Sequence, residues 1–207
     1  MKPASLLRTV LVVLTTLSAA GVSPLPGQWR VGLEVGAARF WGGSIDTGGE
    51  GTSFRPYRPT TFGIGLERQA GRYAFALQLH YFQAGLALEG PEVVIASDGA
   101  FTSVSLFPEA ALHVATLGNS QLWIHAGPIL EVWDVIDNDT RTRLGAQGSV
   151  SLDVPLGSRF SGVLNAGGAV SPSPYEEGEL DLGAGAPTYE RRALWRRSFG
   201  VGVKYRL

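Results

Sequence analysis

Eight stretches of this chain alternate apolar and non-apolar residues with a period of two, and the non-apolar phase carries charge in mid-stretch. In WRVGLEVGAARF, Trp29, Val31, Leu33, Val35 and Ala37 share one face, while Arg30, Gly32, Glu34 and Gly36 take the other. A two-residue period is that of a β-strand, whose side chains point alternately to opposite faces. The pattern returns in TTFGIGLERQ, YAFALQLHYF, TSVSLFPEAALHVA, QLWIHAGPILEVW, TRLGAQGSVSLDV and FSGVLNAGGAV. It closes the chain from Leu194 through SFGVGVKYRL, where Phe199, Val201, Val203, Tyr205 and Leu207 oppose Gly200, Gly202, Lys204 and Arg206.

The polarity of the two faces chooses between two kinds of barrel. A soluble barrel buries its apolar face and shows the polar one to water. Here the non-apolar face holds too many charges for a dry core, because each unpaired buried charge is costly. The other face is almost free of charge in mid-stretch. That inversion puts lipid outside and polar side chains inside. Backbone groups in hydrocarbon must pair among themselves, so the sheet has to close. The expected fold is all-β: a closed antiparallel eight-stranded transmembrane β-barrel with short periplasmic turns and long outer loops. A soluble barrel is the structural alternative.

The connections support this reading. Short turns are expected near Ala70-Gly71, Gly118-Asn119 and Gly157-Ser158. Longer connections fall at residues 42–59, 85–100, 134–140 and 171–193, so short and long alternate. An even strand number brings both chain ends to the short-turn side. Trp29, Trp41, Tyr73, Tyr81, Trp195 and Tyr205 lie near strand ends, as interfacial aromatic belts require. Trp123 and Trp133 fall in the lumen-facing phase.

The start of the chain reads as a targeting segment. Lys2 and Arg8 precede the apolar run TVLVVLTTL, and small residues follow at Ser18 and Ala20. This is the secretory signal pattern, and the run is too short to span a bilayer as a helix. Residues 1–20 are read as a cleaved signal, 21–28 as a short periplasmic leader and 29–207 as the barrel. Removing the signal takes away two cations and no acid from a chain of net charge −1. With a pI near 6.3 the chain has no basic footprint for nucleic acid. The absence of cysteine excludes disulfides and thiolate sites.

The barrel resembles the small eight-stranded outer-membrane families of the OmpA and OmpW type, in pattern throughout and most sharply in its last strand. In those families the terminal strand carries an assembly signal, and Gly202, Tyr205 and Leu207 match it. Leu207 stands where the family's usual terminal residue is Phe. The resemblance implies a bacterial outer-membrane location, recognition by the barrel assembly machinery, contact with outer-membrane lipids and lipopolysaccharide, and a monomer.

The expected lumen network is Arg30, Glu34, Glu67, His80, Glu109, His113, His125, Glu131, Arg143, Asp153, Lys204 and Arg206. Glu34 with Lys204, and Glu67 with Arg30, are the expected ion pairs. Such a network either plugs the barrel or gates a narrow pore. No residue is assigned a catalytic, cofactor-binding or metal-binding role. The three histidines lie on different strands at different depths. Pro108 and Pro128 should lie nearly opposite once the hairpin folds at Gly118-Asn119. Proline lacks the N–H that a ladder needs. The pair is read either as two bulges that bend the wall or as a lateral seam that releases an apolar ligand into the bilayer.

Two further features concern the outer surface. Asp46, Glu50, Glu89, Glu92, Asp98, Asp134, Asp137, Asp139, Glu176, Glu177, Glu179 and Asp181 make the expected loops acidic. In ERRALWRR, Arg191, Arg192, Arg196 and Arg197 stand where the last strand should meet lipid phosphates. The functional expectation is a structural barrel or a narrow, porin-like pore for small solutes, apolar ones among them. The alternatives are a surface-binding module acting through the acidic loops and, less favoured, a lipid A-modifying enzyme.

Overall fold

The computed structural model describes residues 28–46, 53–89, 94–135, 139–174, 189–190 and 192–207. The expected signal, and all of the leader but Gln28, lie outside them. The strands are β1 (Gln28–Gly42), β2 (Ser44–Asp46), β3 (Ser53–Ala70), β4 (Tyr73–Glu89), β5 (Val94–Leu117), β6 (Ser120–Val135), β7 (Asp139–Pro155), β8 (Phe160–Pro172), β9 (Tyr189–Glu190) and β10 (Ala193–Arg206). Eight long strands pair antiparallel with their chain neighbours, and β1 pairs with both β3 and β10. The sheet is therefore closed. The short β2 and β9 pair with each other beyond the rim.

Stepping across the ladders measures the stagger. From Val31 the partners are Leu66, Leu77 and Pro108. Pro108 faces Pro128 across β5 and β6. Ala146, Val170, Trp195 and finally Trp41 follow. One circuit of eight strands thus returns to β1 ten residues further on. With ordinary strand rise and spacing, that stagger tilts the strands by about 40° from the barrel axis.

The tight turns follow local chemistry. Gly71 and Gly118 sit at φ 62° and 63°, a region that glycine enters without the penalty a Cβ brings. Two of the outer connections, those expected at 42–59 and 85–100, are shorter than expected from sequence. β3 begins at Ser53, paired with Glu89, and β5 begins at Val94, paired with the same residue. The β3–β4–β5 ribbon continues beyond the barrel because backbone pairing needs no buried face once outside lipid. The β-branched Val94 and Ile95 that open β5 also favour strand.

The wall is apolar outside. Leu33, Phe75, Leu144 and Phe199 are each about two-thirds exposed, at 64%, 64%, 67% and 67%. Trp29, Tyr73 and Phe160 lie exposed near the short-turn end, and Trp195 lies exposed near the other. Inside, Glu67, Glu109, Glu131, Asp153, His125 and Arg30 are buried. This inverted polarity is the arrangement that a lipid surround stabilises.

Candidate functional site: a filled lumen and an interrupted ladder

The lumen fills in layers that the inward residues of β1 mark in order: Arg30, Glu34, Phe40. At the short-turn end, Lys204 Nζ donates to Glu67 Oε2 (2.8 Å) and to Asp153 Oδ2 (3.2 Å). Arg30 Nη1 donates to Asp153 Oδ2 (3.2 Å) and reaches Glu67 Oε1 at 3.5 Å. Arg30 also bonds Gln69. Two cations and two carboxylates from four strands thus neutralise one another. The expected Arg30–Glu67 contact is present. Lys204, however, turns away from Glu34 and towards Glu67 and Asp153. Its ladder partner is Gly32, which also pairs with Gly65, and the two missing side chains leave it room to reach across.

In the middle layer, Asn165 Nδ2 donates to Glu34 Oε2 (3.3 Å). Glu109 accepts from Gln78 Nε2 (2.9 Å) and from the Gln147 amide. His125 Nδ1 lies 3.4 Å from Glu109 Oε2 without hydrogen-bond geometry, and its Nε2 shares a 2.8 Å bond with Ser151 Oγ. Ser151, His125 and Glu109 therefore stand in the order of a hydrolytic triad. Glu109 is already bonded by two amides, and neither Ser151 nor His125 lines the small lumen cavities described below. His80 Nε2 meets Gln78 Oε1 at 3.0 Å and its ring packs on Phe107. His113 lies by the short-turn end, against Trp123 and bonded to Thr116.

The outer half is partly apolar. Arg196 Nη1 donates to Glu131 Oε1 (3.0 Å), and Ser171 Oγ donates to Glu131 Oε2 (2.6 Å). Arg196 also lies over the Phe107 ring. This corrects the expectation that Arg196 faces lipid phosphates: it has the inward parity of β10 and is 7% exposed. Above it, Phe40, Phe82 and Phe101 pack around Trp133 with ring centroids 5.4–6.4 Å from it. Arg143 reaches the Ser173 and Pro174 carbonyls at the outer mouth. Arg206 is exposed at the opposite mouth.

The site residues that sequence reasoning missed are the aromatic plug and the neutral partners Asn165, Gln78, Gln147 and Ser171. Their alternation places them inward, but only the register shows which carboxylate each serves. Among the described residues the lumen holds cavities of about 40 and 30 Å³, each with room for a water or two. Glu34 and Gln78 line both, so these two side chains stand between them.

At the prolines the register holds. Leu106 pairs with Leu130 and Ala110 with Ala126, while the three intervening residue pairs make no ladder. The constant register places Pro108 opposite Pro128, with no bulge between them. An antiparallel narrow pair exchanges two N–H···O bonds, and two facing prolines lose both. Losing both bonds of that pair accounts for an interruption three residues wide. The neighbouring ladders, Leu77 to Pro108 and Pro128 to Ala146, are unbroken. Both prolines face outward, midway between Leu122 and Val132 on β6 and between Val104 and Val114 on β5. Phe107 and Ile129, both buried, back the interruption from the lumen side. The paired bulges expected as one reading are therefore not what the wall contains.

The terminal residues close the barrel. Gly202 pairs with Glu34, Tyr205 packs on Phe160 at 5.0 Å and accepts a bond from Arg159, and the Leu207 N–H donates to the Trp29 carbonyl at 3.0 Å. Of the acidic outer residues, Glu50, Glu92, Asp137, Glu176, Glu177, Glu179 and Asp181 lie outside the described residues, as does Arg191. Asp134 is exposed.

These features define a closed eight-stranded barrel of the outer-membrane type, with the OmpA/OmpW-like architecture. No family model and no curated protein matches the sequence. Among solved structures, the outer membrane protein OprG from Pseudomonas aeruginosa aligns with TM-score 0.61 at 10% identity, over 87% of this chain and 96% of that one. Neisserial surface protein A aligns at 0.55 and 12%, over 86% and 96%. The outer membrane protein AlkL, determined in DMPC lipid bilayers, aligns at 0.55 and 12%, over 91% and 94%. Similarity at this identity shows the shared fold.

Proposed function

We propose that the protein is an integral outer-membrane barrel that offers small apolar solutes a narrow route, entering from the outer mouth and leaving sideways into the bilayer between β5 and β6. The observation that carries this reading is the in-register interruption at Pro108 and Pro128. Every other irregularity among the described barrel ladders is a register shift near a strand end. This one lies at mid-height, where unpaired backbone is most costly in lipid. The charged layer at the short-turn end blocks the straight path and favours a lateral exit, which opens when the rings around Trp133 and the Phe107–Ile129 contact part. In this reading the barrel is a monomer inserted by the assembly machinery, and no catalytic step is involved.

The test replaces both prolines by valine, restoring two N–H donors on an outward face that tolerates apolar side chains. Refolded P108V/P128V in vesicles should take up an apolar fluorescent probe more slowly than the parent protein while remaining folded. Equal uptake by the two proteins would overturn the lateral route.

A further inference from the structure

Arg39 on β1 and Arg197 on β10 are direct ladder partners, and both point outward. Like charges placed directly opposite destabilise a strand pair. No carboxylate among the described residues neutralises either one. The inward cation beside them, Arg196, is engaged with Glu131. The next outward pair towards the rim is Trp41 with Trp195, stacked at 6.3 Å with their rings 16° apart. The Arg197 guanidinium lies 4.7 Å over the Trp41 ring.

Height fixes what this pair meets. Arg39 is ten residues above Trp29 along β1, and Arg197 is ten residues above Leu207 along β10. At the tilt given by the stagger, ten residues climb roughly 25 Å, the height of an outer-membrane barrel's apolar band. The two guanidiniums therefore sit where hydrocarbon gives way to headgroups, at the end away from the short turns. Below them runs an external groove of about 910 Å³, lined by Ala146, Ala166, Val150 and Phe199 and bounded by Trp41, Trp195 and Arg197 themselves.

We infer that Arg39 and Arg197 clamp a phosphate of outer-leaflet lipid A, with one acyl chain lying in the groove beneath. The inference rests on the outer-membrane reading above. Two adjacent cations without a protein counter-charge call for an anion. A phosphomonoester carries close to two negative charges and three acceptor oxygens, so it matches two guanidiniums better than a singly charged phosphodiester does. Guanidinium pairs with phosphate through parallel N–H···O bonds. The Trp pair supplies the amphipathic surface suited to that depth.

The test compares the parent protein with R39Q/R197Q in phosphatidylcholine nanodiscs, with and without bisphosphorylated lipid A. Native mass spectrometry reads the lipid retained, and thermal unfolding reads the shift. In phosphatidylcholine alone the variant should unfold at the same or a higher temperature, because a repulsion has been removed. With lipid A the parent should gain stability and the variant should not. Each lost guanidinium should weaken retention roughly tenfold, the factor for one charge-assisted bond. Equal retention of lipid A by both proteins would overturn the clamp. So would equal retention of phosphatidylglycerol and lipid A by the parent at the same mole fraction. A chain that folds in no bilayer or micelle would overturn the membrane reading as well, whereas a folded barrel indifferent to lipid A would overturn the clamp alone.

Discussion

Lys204 and Glu67 form the shortest ion pair bridging the lumen's charged layer, 2.8 Å from Nζ to Oε2, and Lys204 also holds Asp153. Removing one member of a buried, hydrogen-bonded charge group leaves its partners uncompensated, at a cost of about 3–5 kcal/mol. Lys204→Met should therefore destabilise the barrel by that order, while Lys204→Arg, which keeps the charge, should lose far less. Urea unfolding of the refolded proteins in micelles distinguishes them. Equal stability of Lys204→Met and the parent would mean that Arg30 alone neutralises both carboxylates.

Glu34 has a different role, because it touches both small cavities and is held by one bond from Asn165. Glu34→Ala removes one of the two side chains between the voids, leaving Gln78, and costs little beyond that bond, on the order of 1 kcal/mol. Conductance in planar bilayers should rise above the parent's, with unfolding nearly unchanged. A variant as silent as the parent would place the barrier elsewhere, in the Lys204 layer or the aromatic plug.

Strand number, face polarity and the inward set were legible in the alternation, because a two-residue period fixes every side chain's face once one is known. The partners of the charges were not. The Lys204–Glu67 bridge crosses β1, and it depends on Gly32 and Gly65 lying side by side, which only the barrel stagger decides. Arg196 shows the same limit. Its position near the rim suggested lipid, but one residue of parity separates it from Arg197, and the inward phase carries it to Glu131. The outer ribbon was misjudged because turn-forming residues such as Pro56 and Pro59 lie within a strand that still pairs with β4.

Trp133 tests the outer plug. It is fully buried and its ring meets Phe40, Phe82 and Phe101. Trp133→Ala should cost about 3–5 kcal/mol, as large aromatic truncations in packed interiors do. It should also admit water-soluble quenchers to the outer half of the lumen, read as increased quenching of a tryptophan introduced beside it by Phe82→Trp. Unchanged quenching would mean that the ring cluster collapses to fill the space.

Two glycines on the closing strand separate a backbone clash from a side-chain clash. A methyl group at Gly202 would sit 2.4 Å from the Leu33 carbonyl oxygen and 3.2 Å from the Glu34 Cα, both on β1. At Gly200 the nearest atoms, from 2.3 Å, belong to the Glu34 carboxylate, which can rotate away. Gly202→Ala must therefore push β1 off β10, with an overpacking cost of about 1–3 kcal/mol. Gly200→Ala costs no more than the Asn165 bond to Glu34, about 1 kcal/mol. Because β1 and β10 form the seam that closes the barrel, Gly202→Ala should also slow the appearance of the heat-modifiable folded band on gels, and Gly200→Ala should not. Equal folding rates and stabilities for the two variants would show that the β1–β10 seam has slack, and that Gly202 matters only through whatever reads the terminal strand.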